Sequence, residues 1–144
     1  MKHCLSILLA ILALAANVLV RAETDAEIGA RKDAADVARA FSNEGFMLRD
    51  GHWCGVVKPH EHSLLAVNLY AGNQYWFSAA AAEPAKKLEV SVYDETGKQA
   101  STENYNDGAK AAAGFSPVDS GQYFVSVDVP EGEGGSFCLV YSYK

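Results

Sequence analysis

From Leu65 onward the chain repeats with a period of two. Leu65, Val67 and Leu69 alternate with Ala66, Asn68 and Tyr70, and Leu88, Val90 and Val92 with Glu89, Ser91 and Tyr93. Tyr123, Val125, Val127 and Val129 alternate with Phe124, Ser126 and Asp128, and Phe137, Leu139, Tyr141 and Tyr143 mark a last strand. Successive side chains of a strand point to opposite faces, so this pattern predicts strands with one buried and one wetter side. Residues 53–58, 75–80 and 111–115 read as further strands. Residues 59–63, 81–85 and 104–108 read as connections. Gly72, Gly97, Gly121 and Gly135 fall in or close the polar turns between strands. Short strands with turn signals every 8 to 12 residues or so indicate a sandwich or barrel rather than βαβ units. The expected fold is an all-β antiparallel β-sandwich over residues 46–144.

A different period precedes it. Thr24-Asp25-Ala26-Glu27 matches the capping box, in which hydroxyl and carboxylate each satisfy the other's backbone N–H. Ala30, Ala34, Val37, Ala38 and Phe41 then share one helix face, and Ile28 falls off it. Gly45 reads as the C′ glycine, with Phe46 as its apolar contact. The pattern predicts one N-terminal α-helix over 25–44, within a segment 23–45. Such a helix is marginal alone, so it is expected to dock on the domain or on a partner.

The first 22 residues read as a cleavable signal peptide: a polar start at Lys2 and His3, an apolar run from Leu5 to Ala16, and a Val20-x-Ala22 cleavage signal. The run is short for a bilayer, which needs about 20 residues, so no membrane insertion is expected after cleavage. Cys4 precedes the run, and no cysteine stands at the cleavage site to receive lipid. The expected destination is periplasmic or secreted. Losing Lys2 and Arg21 leaves 10 basic against 18 acidic residues and takes the formal charge from −6 to −8. With that charge and no basic stripe, nucleic acid is not expected as a partner. Cys54 and Cys138 remain as an even pair in an oxidising compartment, and a disulfide between them is expected. It would close a loop worth about 4 kcal/mol on the chain-entropy model.

Four segments carry a family likeness. Residues 65–79 resemble the "L-x-AG-x-x-Y-x-F-x-A" hairpin of bacterial pre-peptidase C-terminal domains. Residues 88–97 resemble their "L-x-V-x-V-Y-D-x-x-G" strand and turn. Residues 120–127 resemble "SG-x-Y-x-V-x-V", and 135–140 the final "G-x-Y-x-L-x-V". The likeness covers slightly over half of the chain. It implies a stand-alone secreted version of a jelly-roll-like β-sandwich. In that family the domain often trails a protease and serves export, substrate docking or matrix binding. The N-terminal helix and the cysteine pair depart from the plain pattern.

Three groups of residues could carry chemistry. His60 and His62 share a face if extended, and with His52 and a carboxylate such as Glu61 they could hold zinc or copper. The plainer reading is a solvated polar loop. Acidic turns at Asp94 and Glu95, at 103–107, and at Glu131 and Glu133 offer oxygens for calcium, but no EF-hand or nonapeptide repeat shapes them. Trp53, Tyr70 and Trp76 could form a sugar-stacking platform, or the helix could bury them. No G-x-S-x-G elbow, H-E-x-x-H or phosphate loop is present, so no enzyme and no cofactor are expected. The leading expectation is an exported non-catalytic module that binds a protein or a cell-surface polysaccharide. The alternatives are a periplasmic metal-binding protein using His52, His60 and His62, and a carbohydrate-binding module. Exported protein should begin at Glu23 on N-terminal sequencing, and its intact mass should rise by two hydrogens on reduction. Two freely alkylated thiols in unreduced protein would contradict the expected bond.

Overall fold

The computed structural model describes residues 21–144; the expected signal segment up to residue 20 lies outside them. One α-helix and nine strands make up the described chain. The helix α1 spans Asp25–Arg39. The strands are β1 (Met47–Leu48), β2 (Trp53–Val57), β3 (His62–Leu69), β4 (Tyr75–Ala81) and β5 (Ala85–Tyr93). They continue with β6 (Glu103–Asp107), β7 (Lys110–Phe115), β8 (Gly121–Gly132) and β9 (Gly135–Tyr143).

All pairings between these strands are antiparallel, and they nest. β2 pairs with β9, β3 with β8, and β4 with β7. The chain is thus one long hairpin of strand pairs, rolled so that alternate pairs fall in opposite sheets. The larger sheet runs β2-β9-β4-β7-β6, with β1 also on β9; the smaller runs β3-β8-β5. This is the strand order of a jelly roll, with β6 joined to the larger sheet. The inward residues of the two sheets make the main core. Phe77, Leu88, Val92, Val125 and Leu139 lie within it, fully buried.

The expected capping box is closed. The Thr24 hydroxyl accepts from the Glu27 N–H at 3.2 Å, and the Glu27 carboxylate accepts from the Thr24 N–H at 2.8 Å. The bond from the Thr24 N–H is the main cause that holds the Glu27 carboxyl below the usual glutamate value. The helix ends earlier than the expected residue 44. The Ser42 hydroxyl donates to the Arg39 carbonyl at 2.8 Å, a local bond that competes with helix continuation. A short 3-10 turn, Ser42–Glu44, follows, and Gly45 at φ 88° reverses the chain. The early exit lets Phe41 lie flat on Trp76, with ring centroids 4.0 Å apart.

α1 covers the outer face of the larger sheet. Ala34 and Ala38 pack on Ala80 and Val140, while Val37 and Phe46 pack on Trp76 and Ala112. Alanine on both sides permits this close approach. Gly114, opposite Trp76 in the ladder, completes it: a Cβ there would stand 2.8 Å from the indole. Ile28 is exposed, as its position on the wheel implies.

One connection was misjudged from the sequence. Residues 104–108 largely form β6, an edge strand exposed along its whole length. Neither face is buried, so no apolar alternation marks it. Residues 130–132 continue β8 and Gly135 opens β9, which leaves Glu133 and Gly134 as the turn between them.

Overpacking by Ala34→Leu or Gly114→Ala should each lower unfolding stability by about 1–3 kcal/mol in urea titrations. Ile28→Ala should change it by less than about 0.5 kcal/mol. Because the Glu27 carboxyl is held low in the folded state, its contribution is complete above the usual glutamate value and is lost as pH falls through the lowered one. Glu27→Gln should therefore flatten the acid limb of a stability–pH profile while leaving its shape above neutrality unchanged.

Candidate functional site

The smaller sheet has one face in the core and one that, among the described residues, no other element covers. Register defines the free face. His62, Asp128 and Glu89 lie side by side across β3, β8 and β5. The next rung holds Leu64, Ser126 and Ser91, and the next Ala66, Phe124 and Tyr93. Ser126, small and fully buried, forms a dip between larger neighbours. Leu64 stands 61% exposed at its edge, a large aliphatic group on a strand side that should be wet. A groove of about 510 Å³ results, lined by His62, Leu64, Tyr93, Glu95, Thr96 and Phe124 among others.

The β5–β6 turn builds one wall. The Asp94 carboxylate accepts from the Thr96 hydroxyl at 2.6 Å, the Thr96 N–H at 2.9 Å and the Lys98 N–H at 3.0 Å. These bonds, the Thr96 hydroxyl first, hold the Asp94 carboxyl below the usual aspartate value. Gly97 at φ 82° closes the turn. The carboxylate expected among possible calcium ligands is thus engaged by its own turn.

At the far end of the groove, the His62 imidazole contacts Asp128 and the Ser126 hydroxyl donates to the same carboxylate at 2.8 Å. The carboxylate sits between the other two groups. The serine hydroxyl has no bond to the imidazole, the arrangement a serine nucleophile needs.

The three histidines do not meet. His60, at φ 63°, and His62 border a shallow depression with Glu61, Glu89 and Asp128. His52 lies elsewhere, its Nε2 3.7 Å from a Glu23 carboxylate oxygen. Cys54 and Cys138 face each other in the β2–β9 ladder, Cα atoms 4.1 Å apart, and are joined as a disulfide.

Nor do the three aromatics share a face. Trp76 is buried under α1. Trp53 stacks on Tyr141, with ring centroids 5.6 Å apart, at the edge of the main core. Only Tyr70 is open, 61% exposed. It lines a cleft of about 280 Å³ with Arg49, Asn68, Asn73 and Tyr143. Arg49 bonds the Tyr141 hydroxyl and lies over its ring. Burial, opposed by that guanidinium, raises the Tyr141 phenol above its usual value.

Leu64, Tyr93 and Phe124 are not among the site residues expected from the sequence. The signal was present, because Phe124 and Tyr93 stand on the polar phase of their strands. No protein-family model matches the chain, and no curated protein matches it.

In an NMR titration the Thr96 and Lys98 amide protons should move together, with a midpoint below the usual aspartate value. In Asp94→Asn they should stay flat. Emission from Trp53→Phe, which reports Trp76 alone, should resist acrylamide quenching until the protein unfolds.

Proposed function

We propose that the protein is an exported, non-catalytic β-sandwich module that binds a protein or a cell-surface polymer across the outer face of β3-β8-β5. The reading is carried by one observation: no described element covers this face, and it carries Leu64, Phe124 and Tyr93 around a groove of about 510 Å³. The larger sheet hides its own outer apolar residues beneath a helix. An apolar strip left open on the other sheet is therefore a departure within the same molecule. The volume suits a short stretch of polymer or one or two side chains. His62, Glu95 and Thr96 at the rim supply hydrogen-bonding groups around an apolar floor. A formal charge of −6 for the whole chain disfavours polyanions.

Export is supported by the signal-like first 22 residues and by the Cys54–Cys138 bond, of a kind kept outside reducing compartments. Among the described residues no helix is long and apolar enough to cross a membrane. The likeness to pre-peptidase C-terminal domains is supported by the nested jelly-roll order. Fold likeness alone names no ligand.

A carbohydrate-binding reading has its own support at the Tyr70 cleft. An open phenol ring beside Arg49, Asn68 and Asn73 combines a stacking surface with hydrogen-bond donors.

The two are separable in one experiment. Isotope-labelled protein is titrated with soluble peptidoglycan fragments, neutral oligosaccharides and a peptide library, following amide shifts. The groove reading expects shifts at Leu64, Tyr93 and Phe124, and their loss in Leu64→Asp with stability kept within about 0.5 kcal/mol. Shifts confined to Tyr70 and Asn73 would transfer the site to the cleft. No shift with any probe would count against both.

A further inference from the structure

A second group of side chains lies far from any use made of the groove. Glu23, His52 and Cys54 place a carboxylate oxygen, an imidazole nitrogen and a sulfur all within 4.8 Å of one another. The Cys138 sulfur is bonded to that of Cys54 and so adds a fourth donor. We propose that reduction of the Cys54–Cys138 disulfide opens a zinc site made of Cys54, Cys138, His52 and Glu23.

The donor set fits. Two sulfurs, one nitrogen and one oxygen suit zinc, whereas calcium and magnesium require oxygen shells. Tetrahedral zinc holds its ligand atoms roughly 3 to 4 Å apart, given metal–ligand bonds of about 2.0–2.3 Å. His52 Nε2 and Glu23 Oε1 already stand 3.7 Å apart. The other Glu23 oxygen is held by Arg31 at 3.1 Å, which leaves the first facing the imidazole. Cys138 is fully buried beneath the first turn of α1, its sulfur 3.3 Å from the Glu27 carbonyl oxygen. His52 and Glu23 are exposed, so a cation would enter from their side. A chain cut after Ala22 keeps Glu23 as its first residue.

Thiolate is the form that binds metal, and the disulfide keeps the site closed. A dithiol reductant supplies two electrons and two protons; it becomes a disulfide as Cys54 and Cys138 become thiols. Zinc then displaces both thiol protons to solvent. The metal would take over the staple between β2 and β9, and would also pin the residue before the helix cap.

Cobalt(II) is the probe, because tetrahedral thiolate cobalt has visible d–d and sulfur-to-metal charge-transfer bands. The full chain is reduced with a phosphine under argon and titrated. One equivalent should produce both bands, and zinc should erase them; oxidised protein should show neither. Cys138→Ser, which frees Cys54 without reductant, should show a weaker charge-transfer band. His52→Ala and Glu23→Gln should each weaken binding by about tenfold or more, the size seen even for outer-shell partners. His60→Ala/His62→Ala should match wild type. Four results would overturn the proposal: bands absent from both reduced wild type and Cys138→Ser; bands indifferent to His52→Ala and Glu23→Gln; bands lost in His60→Ala/His62→Ala; or loss of amide dispersion on reduction that zinc does not restore.

Discussion

Tyr75–Ala81 is buried along its entire length, and Phe137–Ser142 nearly matches it in β9, so the middle of the larger sheet has no side that can face water. Every other layer follows from that. One face needs the smaller sheet, which supplies Leu88, Val90, Val92, Val125 and Val127. The other needs α1, and it needs the helix close. Alanine at 34 and 38 against Ala80, and glycine at 114 beneath Trp76, set that distance. The helix in turn cannot hold its shape alone, being short and poor in large apolar groups. Sheet and helix are each incomplete without the other.

The smaller sheet faces no such demand, and it is there that the chain has latitude. Its inner positions are mostly aliphatic, with Tyr123 set edge-on to Phe115 at one end. Its outer positions mix Ser126 and Asp128 with Leu64, Phe124 and Tyr93. Two rings and an aliphatic edge around a buried serine are not needed to hold the core, whose side chains point the other way. That asymmetry between a sheet covered by the helix and one that no described element covers is the physical ground for the proposed ligand contact on β3-β8-β5.

Much of the fold was legible because burial is one-sided where the alternation is strict. The alternating stretches 65–69, 88–92 and 123–129 mark most of β3, β5 and β8, and the Thr24–Glu27 box marks the start of α1. Two features escaped. β6 has no buried side, so Glu103–Asp107 carries no periodic mark and reads as a polar loop. The helix end was misplaced because Ser42, not Gly45, breaks the helix, through a bond to Arg39 that composition does not reveal. The site was less legible than the fold. The metal expectation grouped His52 with His60 and His62, whereas the fold sets His52 apart from them and beside Glu23, a residue from a separate segment brought near only by packing. The groove was half visible, since Phe124 and Tyr93 already broke the polar phase of their strands.

The nesting of β2 with β9 has a consequence for how the chain is made. The first strand of the larger sheet waits for the last, and β4 lacks one neighbour until the C-terminal strand exists. A chain still being synthesised therefore cannot complete either of its most apolar layers. Non-local pairing of this kind delays folding until β9 is available. A polypeptide that stays open until β9 is present also stays threadable, the state in which a chain can be passed through a narrow pore.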